Sequence, residues 1–332
     1  MKYYVLQFKF LTPVHFGTAQ NKKSGNLQSF NCCADTFFSA LATEAAALDT
    51  ALCGKFIAAV QEGSLLFSDL LPYYSGREEE FYVPVPYYRS EKINTLDYGL
   101  SFTDLCLQYE ARRDHENLAY IRAGGVKAYL QPFGEDEAPE QEKHSFGWSG
   151  VQRRMDFRDG GTAYYVSNYS FAEGAGLYCI VGLNDESLLD ELVKTVELLG
   201  LGGIGGRRSS GFGKFVLRKA PFALNAGCSG DAGVLYELLN NNESSLQMTL
   251  SILCPVEQQL DAVKQGAFSL MRRSGFVYNS ETGGYEKRSS VYMIKAGACF
   301  SQRIDGQVLE FAAGAGHPVY RYGKALYMGL PV

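Results

Sequence analysis

The run LGLGGIGGRRSSGFGKF, from Leu199 to Phe215, restricts the possible folds of this chain more than any other stretch. It stands between an amphipathic run, SLLDELVKTVELLG, and a short strand-like run, KFVLR. In the first, Leu188, Leu189, Leu192, Val193, Val196 and Leu199 recur at helical spacing, Ser187 with Asp190 has the form of a capping box, and Gly200 is a natural stop. A glycine-rich connection from helix to strand excludes the common nucleotide folds. The dinucleotide fingerprint that Gly200, Gly202 and Gly205 spell needs the opposite order, strand before helix. A Walker A loop would need glycine at Arg208 and Ser or Thr at Phe215.

Six glycines between Gly202 and Gly213 are more than a turn requires. They let the backbone approach a ligand and present N–H groups, while Arg207, Arg208 and Lys214 add cations and Ser209 and Ser210 add hydroxyls, with no acid in the loop. That set suits a phosphate. A tight turn with solvated charges is the plainer alternative. The formal net charge of −5 means that any nucleic-acid binding must come from such local clusters, not from the global field.

The rest of the first 218 residues supplies the fold around the loop. YYVLQFKF alternates, with Tyr4, Leu6, Phe8 and Phe10 on one face and Tyr3, Val5, Gln7 and Lys9 on the other, which predicts a half-buried strand. A loop with Gly17, Lys22, Lys23 and Gly25 leads to DTFFSALATEAAAL, a helix with Phe38, Leu41, Ala45 and Leu48 on one face and Asp35 as its N-cap. From about Pro72 to Gly161 the pattern breaks into inserted hairpins and a mobile loop, FGEDEAPEQEKHSFG. Two strands, TAYYVSNYSF and GLYCIVGL, precede the second helix. The sum is βαββαβ, an α+β, ferredoxin-like (RRM-like) domain over 1–218, with insertions at about 73–161 and the glycine-rich loop at 200–214. APFALNAG reads as a linker. Over 219–332, LQMTLSILCP, GAFSLMRRSGFVYN, SSVYMIKAGACF and KALYMGL predict a second, β-rich domain, a degenerate ferredoxin-like copy of the first.

Several classes are excluded on composition. The eight cysteines contain no C-x-x-C, so neither a zinc site nor a disulfide framework is expected, and no cofactor or metal. No run of about 18 apolar residues and no basic-apolar leader at Met1 occurs, which predicts a cytoplasmic chain without a membrane partner. Of His15, His115, His144 and His317, only His15, at the end of the first strand, suits a general base for metal-independent RNA cleavage through the 2′-OH. A histidine that orients the loop beside Gly17 is the simpler reading. His317, before Pro318, sets a turn or contacts RNA. No HD or GGDD set is present, so no catalytic residue is assigned.

The glycine-rich loop between the last helix and strand of a ferredoxin-like domain resembles the signature of the RAMP proteins of CRISPR systems. TPVHFG, ADTFFSALATE, RRMDFRDGGTAYYVSNYSF, RRSGFVYN, KRSSVYMIKAGACF and HPVYRYGKALYMGLPV resemble, in this order, one group within them, the crRNA 5′-tag-binding subunit of type III-A Csm complexes. The resemblance spans the chain apart from the variable Pro72 to Gly150 region. It implies a non-enzymatic cap that holds the crRNA 5′ tag, docks the Cas10-type large subunit and a backbone RAMP subunit, and meets target RNA indirectly. It further implies that Gly202, Gly203, Gly205, Gly206, Arg207, Arg208, Ser209, Ser210, Gly211, Gly213 and Lys214 clamp tag phosphates, partly through backbone amides. The aromatics of the RRM-like sheet would stack bases, and Arg153 and Arg154 would stand at the base of a thumb-like hairpin. Arg272, Arg273, Lys287, Arg288, His317, Tyr320, Arg321 and Lys324 would line a groove that tracks the RNA backbone. Backbone subunits of such complexes cleave target RNA with a loop aspartate; here Asp35 reads as an N-cap instead. The alternatives are a RAMP endoribonuclease that processes crRNA precursor with His15 as base, a ferredoxin-like enzyme with a small-phosphate loop, and the equivalent subunit of a Cmr complex.

Overall fold

The computed structural model describes residues 1–17, 30–88, 101–131, 145–156, 161–279, 284–287, 289–311 and 318–332. The chain begins with β1 (Lys2–Phe10), α1 (Ala34–Leu48), α2 (Thr50–Glu62), β2 (Leu65–Phe67), β3 (Leu71–Ser75), β4 (Glu79–Pro84), α3 (Phe102–Glu116), β5 (Tyr120–Arg122) and α4 (Val126–Leu130). A long hairpin follows, β6 (Gly147–Asp156) and β7 (Thr162–Phe171), then β8 (Ala175–Leu183), α5 (Leu188–Gly202), β9 (Phe215–Leu217) and β10 (Phe222–Leu224). The remainder comprises α6 (Gly230–Asn240), β11 (Gln247–Thr249), α7 (Leu260–Lys264), β12 (Leu270–Arg273), β13 (Phe276–Asn279), β14 (Gly284–Lys287), β15 (Val291–Ile294), β16 (Cys299–Phe300), β17 (Leu309–Phe311), β18 (Val319–Arg321) and β19 (Tyr327–Gly329).

β1 is central, antiparallel to β8 on one side and to β9 and β10 on the other, while β2 and β3 both pair with the far side of β8. With β2/β3 as the second strand and β9/β10 as the fourth, the order is the 4-1-3-2 of a ferredoxin-like sheet, but the second strand is not the expected TAYYVSNYSF, which is β7 and pairs with β6 in the hairpin. β4 and β5 extend it beyond β3, so the insertion starts later than residue 73. The second strand breaks at Ser68, whose Oγ accepts from the Ile180 N–H at 2.8 Å and keeps β8 bonded across the gap. The fourth breaks before Phe222 at Pro221, which has no N–H to give a ladder. The segment expected to be a linker is therefore partly strand, with Phe222–Leu224 on Tyr3–Val5. FGEDEAPEQEKHSFG lies mostly outside the described residues.

β1 is buried on both faces, not on one. Leu6 and Phe8 join Phe37, Leu41, Leu192 and Val196 beneath α1 and α5. Tyr3 and Val5 join Ile180, Leu235, Leu239, Met248 and Leu326 in a second core, because α6 and the C-terminal strands cover the face that a lone ferredoxin-like sheet leaves open. Asp231, in the first turn of α6, fixes that cover: its carboxylate accepts from Arg122 Nε at 2.9 Å and from the N–H groups of Phe81 (3.0 Å) and Gly124 (3.2 Å).

β11 lies between β16 and β19, antiparallel to both, the 3-1-4 part of a second ferredoxin-like order. It is not a separate body. Tyr322 inserts its ring between Phe38 and Phe67, and its hydroxyl accepts from the Phe67 N–H at 2.9 Å, so its polar end is satisfied inside the first core.

The helix ends differ from expectation. Cys33, not Asp35, is the N-cap of α1, without a side-chain bond. The capping acceptor comes from the break in the second strand: Asp69 Oδ1 takes the Ala34 N–H at 2.8 Å and the Ile252 N–H at 3.2 Å. Leu48, expected on the apolar face, is 52% exposed. α5 continues past Gly200 to Gly202, and Ser187 makes no cap bond; Asp185 Oδ1 receives the Ser187 N–H instead. Gly200 is needed for another reason, since a Cβ there would collide with the Phe215 carbonyl of β9. The cysteines form no disulfide, and burial pushes the thiols of Cys32 and Cys33 well above their ordinary range, so they are poor nucleophiles. Among the described residues no helix is long and apolar enough to cross a membrane, and no cluster of His, Cys, Asp and Glu could hold a metal.

Candidate nucleic-acid interface

The glycine-rich loop is a closed ring of backbone sewn to the end of β1. Gly203 (φ 83°) ends α5 with its N–H on the Leu199 carbonyl at 2.7 Å, and the Ile204 N–H bonds the Gly213 carbonyl at 2.9 Å to close the neck. Gly213 has φ 74°, and a Cβ there would strike the Ile204 carbonyl. Between them Arg207 adopts a left-handed backbone (φ 63°) and Arg208–Ser210 make a single 3-10 turn. Three bonds tie the loop to the chain after β1: Gly213 N–H to Pro13 O (2.9 Å), Lys214 N–H to Thr12 Oγ1 (2.9 Å) and Gly206 N–H to His15 O (2.8 Å). The amides of Gly203, Gly206, Gly213 and Lys214 are thus spent on the loop's own shape and are not the phosphate donors expected of them.

The loop's three cations have different fates. Arg208 donates from Nη2 to Glu44 Oε1 at 2.6 Å and from Nε to the Gly202 carbonyl at 3.4 Å, so an acid from α1 neutralises it, one that the loop sequence does not contain. Lys214 is exposed. Arg207 is exposed, with its Cζ 5.4 Å from the centre of the Tyr164 ring. Tyr164 belongs to β7 and faces Arg154 of β6, whose Cζ in turn lies 5.1 Å from the ring of Phe212 in the loop. Two cation–aromatic contacts therefore lock hairpin and loop together without cancelling either charge. Ser209 and Ser210 are exposed beside them, and Gly211 (φ 85°) has open space around it.

His15 is the hinge of this junction. Its Nδ1 lies 2.7 Å from the Ser167 carbonyl of β7, a donor geometry for the Nδ1–H tautomer, and the Val14 and Tyr169 backbones form an adjacent bridge. The ring is engaged with the hairpin, a contact other than the ordering of the loop beside Gly17 that was expected of it. Arg153 pairs across the ladder with Tyr165, which is 70% exposed, and Val151, Met155 and Trp148 are exposed on the same hairpin. The sequence reading passed over these apolar residues.

The second-domain residues separate into surface and interior. Arg272 is exposed and reaches Ser290 Oγ at 2.9 Å; Lys287 is exposed; Tyr320 is half-buried against the first core. Arg273 and Arg321 are corrections, because both point inward. Arg273 makes a two-pronged pair with the buried Asp35, Nε to Oδ2 at 2.9 Å and Nη2 to Oδ1 at 2.6 Å. Burial works against its charge, but Asp35, with Cys33 and Asp69 nearby, holds it above the ordinary guanidinium value. Arg321, 1% exposed, gives Nη1 to the Arg273 carbonyl at 3.2 Å and lies over Phe311. Lys324 is half-buried near Gly63. Arg288, His144 and His317 lie outside the described residues, as does the side chain of His115. The central sheet offers no stacking platform, since both its faces are covered.

Between the loop and α1 runs a cleft of about 580 Å³ whose walls include Thr36, Ser39, Gly205, Gly206, Arg273 and Phe276. Its lining mixes hydroxyls, glycines and apolar side chains with Arg208 and Arg273, both already paired with acids; the cations held by rings, Arg154 and Arg207, lie outside it, at the loop–hairpin junction.

Comparison with known proteins bears on the family and the fold. Residues 242–330 match the family model of the CRISPR Csm4 C-terminal domain. The CRISPR system Cms protein Csm4 of Streptococcus thermophilus is 28% identical over 335 residues, covering 100% of this chain and 99% of that protein. Its counterpart in Mycobacterium tuberculosis (strain ATCC 25618 / H37Rv) is 28% identical over 327 residues, covering 96% and 94%. The chain is thus similar to Csm4 proteins over nearly its whole length. The Csm4 architecture is also seen in the fold: a chain of the crystal structure of a Csm3-Csm4 subcomplex in the type III-A CRISPR-Cas interference complex superposes with a TM-score of 0.64 at 14% identity, over 100% of both chains. A chain of a Csm1-Csm4 cassette in complex with cA4 gives 0.58 at 15%, over 100% of this chain and 99% of that one.

Proposed function

We propose that this chain is a non-catalytic, RNA-binding subunit of a cytoplasmic type III-A CRISPR (Csm) effector complex. It holds the 5′ tag of the crRNA and docks the Cas10-type large subunit and a backbone RAMP subunit, meeting target RNA only through the guide. The observation that carries this reading is the junction at which Arg207 and Arg154 rest on Tyr164 and Phe212, with no carboxylate of the described residues bonded to either. Solved relatives contain Csm4 with Csm3 in one crystal and with Csm1 in another, which supports the two protein partners. The bond from His15 to the hairpin supports a structural role for that residue over a general base.

The test is binding of guide RNA, with and without its 5′ tag, to the complex assembled with wild-type or variant chain at several salt concentrations. Arg207→Ala/Lys214→Ala should weaken tag-dependent binding and flatten the log–log salt slope by about 1.4, or ~0.7 per single-strand phosphate contact. Arg208→Ala, whose charge Glu44 already cancels, should change the slope far less. Binding indifferent to the tag and to Arg207 and Lys214, or RNA recovered cut, refutes the proposal.

A further inference from the structure

The wall of the cleft formed by β12 and β13 is fastened to α1 at one point. Besides its pair with Asp35, Arg273 donates from Nη2 to Thr36 Oγ1 at 2.7 Å, so one guanidinium holds two successive residues of the first turn of α1. Arg321 holds the Arg273 carbonyl from behind, and the Cys33 and Met271 sulfurs touch at 4.0 Å. The fork geometry of arginine on a carboxylate fixes orientation as well as distance. Three residues beyond this anchor, Phe276 stands at the cleft mouth, 66% exposed. Lys287 lies directly opposite it on β14, on the same face of the ribbon. Hydrophobic burial gives no reason for a phenylalanine there. An aromatic face beside a cation, at the mouth of a cleft, is the combination that receives a base ring together with its phosphate.

We propose that Phe276 is a base-stacking platform for one nucleotide of the bound single-stranded RNA, and that the Asp35–Arg273 pair is the positioning latch that holds it across the cleft. The inference rests on the RNA-holding reading above and adds the residue that takes a base. Stacking of this kind tolerates any base, so the platform contributes affinity without reading sequence.

The experiment places 5-iodouridine at successive positions of the tag in a guide RNA bound to the complex assembled with the full-length chain. Irradiation then couples it to a stacked aromatic ring, and the joined peptide is mapped by mass spectrometry. A cross-link to Phe276 at one tag position is expected. Phe276→Ala, a change at an exposed site, should lower its yield at least tenfold and weaken tagged RNA about tenfold, equivalent to ~1.4 kcal/mol; Phe276→Trp should retain both. Arg273→Lys, which keeps the charge but loses the fork, should lower the yield several-fold while the Arg207-dependent salt slope stays as in wild type. Tag-dependent binding with a normal salt slope but no cross-link at Phe276, or affinity untouched by Phe276→Ala, overturns the platform and leaves the RNA-holding role standing. A yield unchanged in Arg273→Lys overturns the latch. Absence of tag-dependent binding altogether overturns both readings.

Discussion

Asp69→Asn separates two opposed electrostatic effects at the seam of the molecule. Asp69 Oδ1 accepts from Ala34 at the start of α1 and from Ile252 in the C-terminal part, and both donors, like the helix dipole, favour the anion. Enclosure favours the neutral acid and prevails: burial pushes the carboxyl from its ordinary 3.8 up to about 7, with Asp35 adding to the rise and Arg273 opposing it. A carboxyl raised on folding stabilises the native state fully below pH 3.8, and that contribution is lost as pH climbs through about 7. The interval corresponds to about 4 kcal/mol at ~1.4 kcal/mol per pH unit. Asp69 is half-buried and solvent screens part of this, so ~2 kcal/mol is the expected difference. Asparagine has the shape of the protonated acid and keeps the Oδ1 acceptor. Urea unfolding of the full-length chain should therefore show the two proteins alike near pH 5, within ~1 kcal/mol, and the variant more stable by ~2 kcal/mol near pH 8. A variant less stable than wild type at pH 8 would mean that the two N–H donors and the dipole hold Asp69 ionised, and the reasoning fails.

Two further outcomes follow from the same packing. Asp35→Ala leaves the Arg273 guanidinium enclosed without its carboxylate and should cost about 3–5 kcal/mol in chemical denaturation, whereas Asp35→Leu/Arg273→Met should recover most of that loss. Gly213→Ala combines a left-handed backbone with a collision on Ile204 and should cost well over ~2 kcal/mol, while Gly211→Ala, with φ 85° but open space, should cost about 1 kcal/mol; equal costs would show that the loop neck relaxes freely.

The parts of the fold that depend on local pattern were legible in advance. β1, α1, β7, β8 and α5 announce themselves by period, but β7 pairs with β6 outside the central sheet, and its place there is taken by β2 and β3, which the sequence reading did not foresee. What was not legible depends on distant partners. Nothing near Arg208 in sequence indicates Glu44, which lies 164 residues away, and nothing near Arg273 indicates Asp35, 238 residues away. A doubled arginine looks the same whether it faces water or a buried acid, so Arg272 and Arg273 read alike although β12 turns one outward and the other inward. Asp35 was placed at the right helix but in the wrong role, because the capping oxygen is supplied by Asp69 from a break in a strand that only pairing with β8 reveals. The covered sheet face has the same origin. α6 and the C-terminal strands lie after the expected boundary at Arg218, and period cannot say that they fold back over Tyr3 and Val5.

On the RNA-holding reading proposed above, a chain of net charge −5 must keep a few cations unneutralised, and the choice among them follows from their neighbours. Arg122 is balanced by Asp231 and Glu80, Arg208 by Glu44, Arg218 and Lys219 by Glu79, and Arg273 by Asp35. Each pair fastens one element to another and contributes almost no net field beyond its own surroundings. Arg207 and Arg154 are held instead by the rings of Tyr164 and Phe212, and Arg154 also by the neutral amide of Gln152 at 3.4 Å. A ring fixes a guanidinium in place and leaves its charge intact. Loop and hairpin are thereby ordered by the same contacts that keep their junction positive, so the anion-attracting point needs no excess of basic residues in the chain as a whole. Arg122, Arg208, Arg218 and Arg273 fasten elements together through acids, and at the loop–hairpin junction aromatic rings take the place of acids as partners.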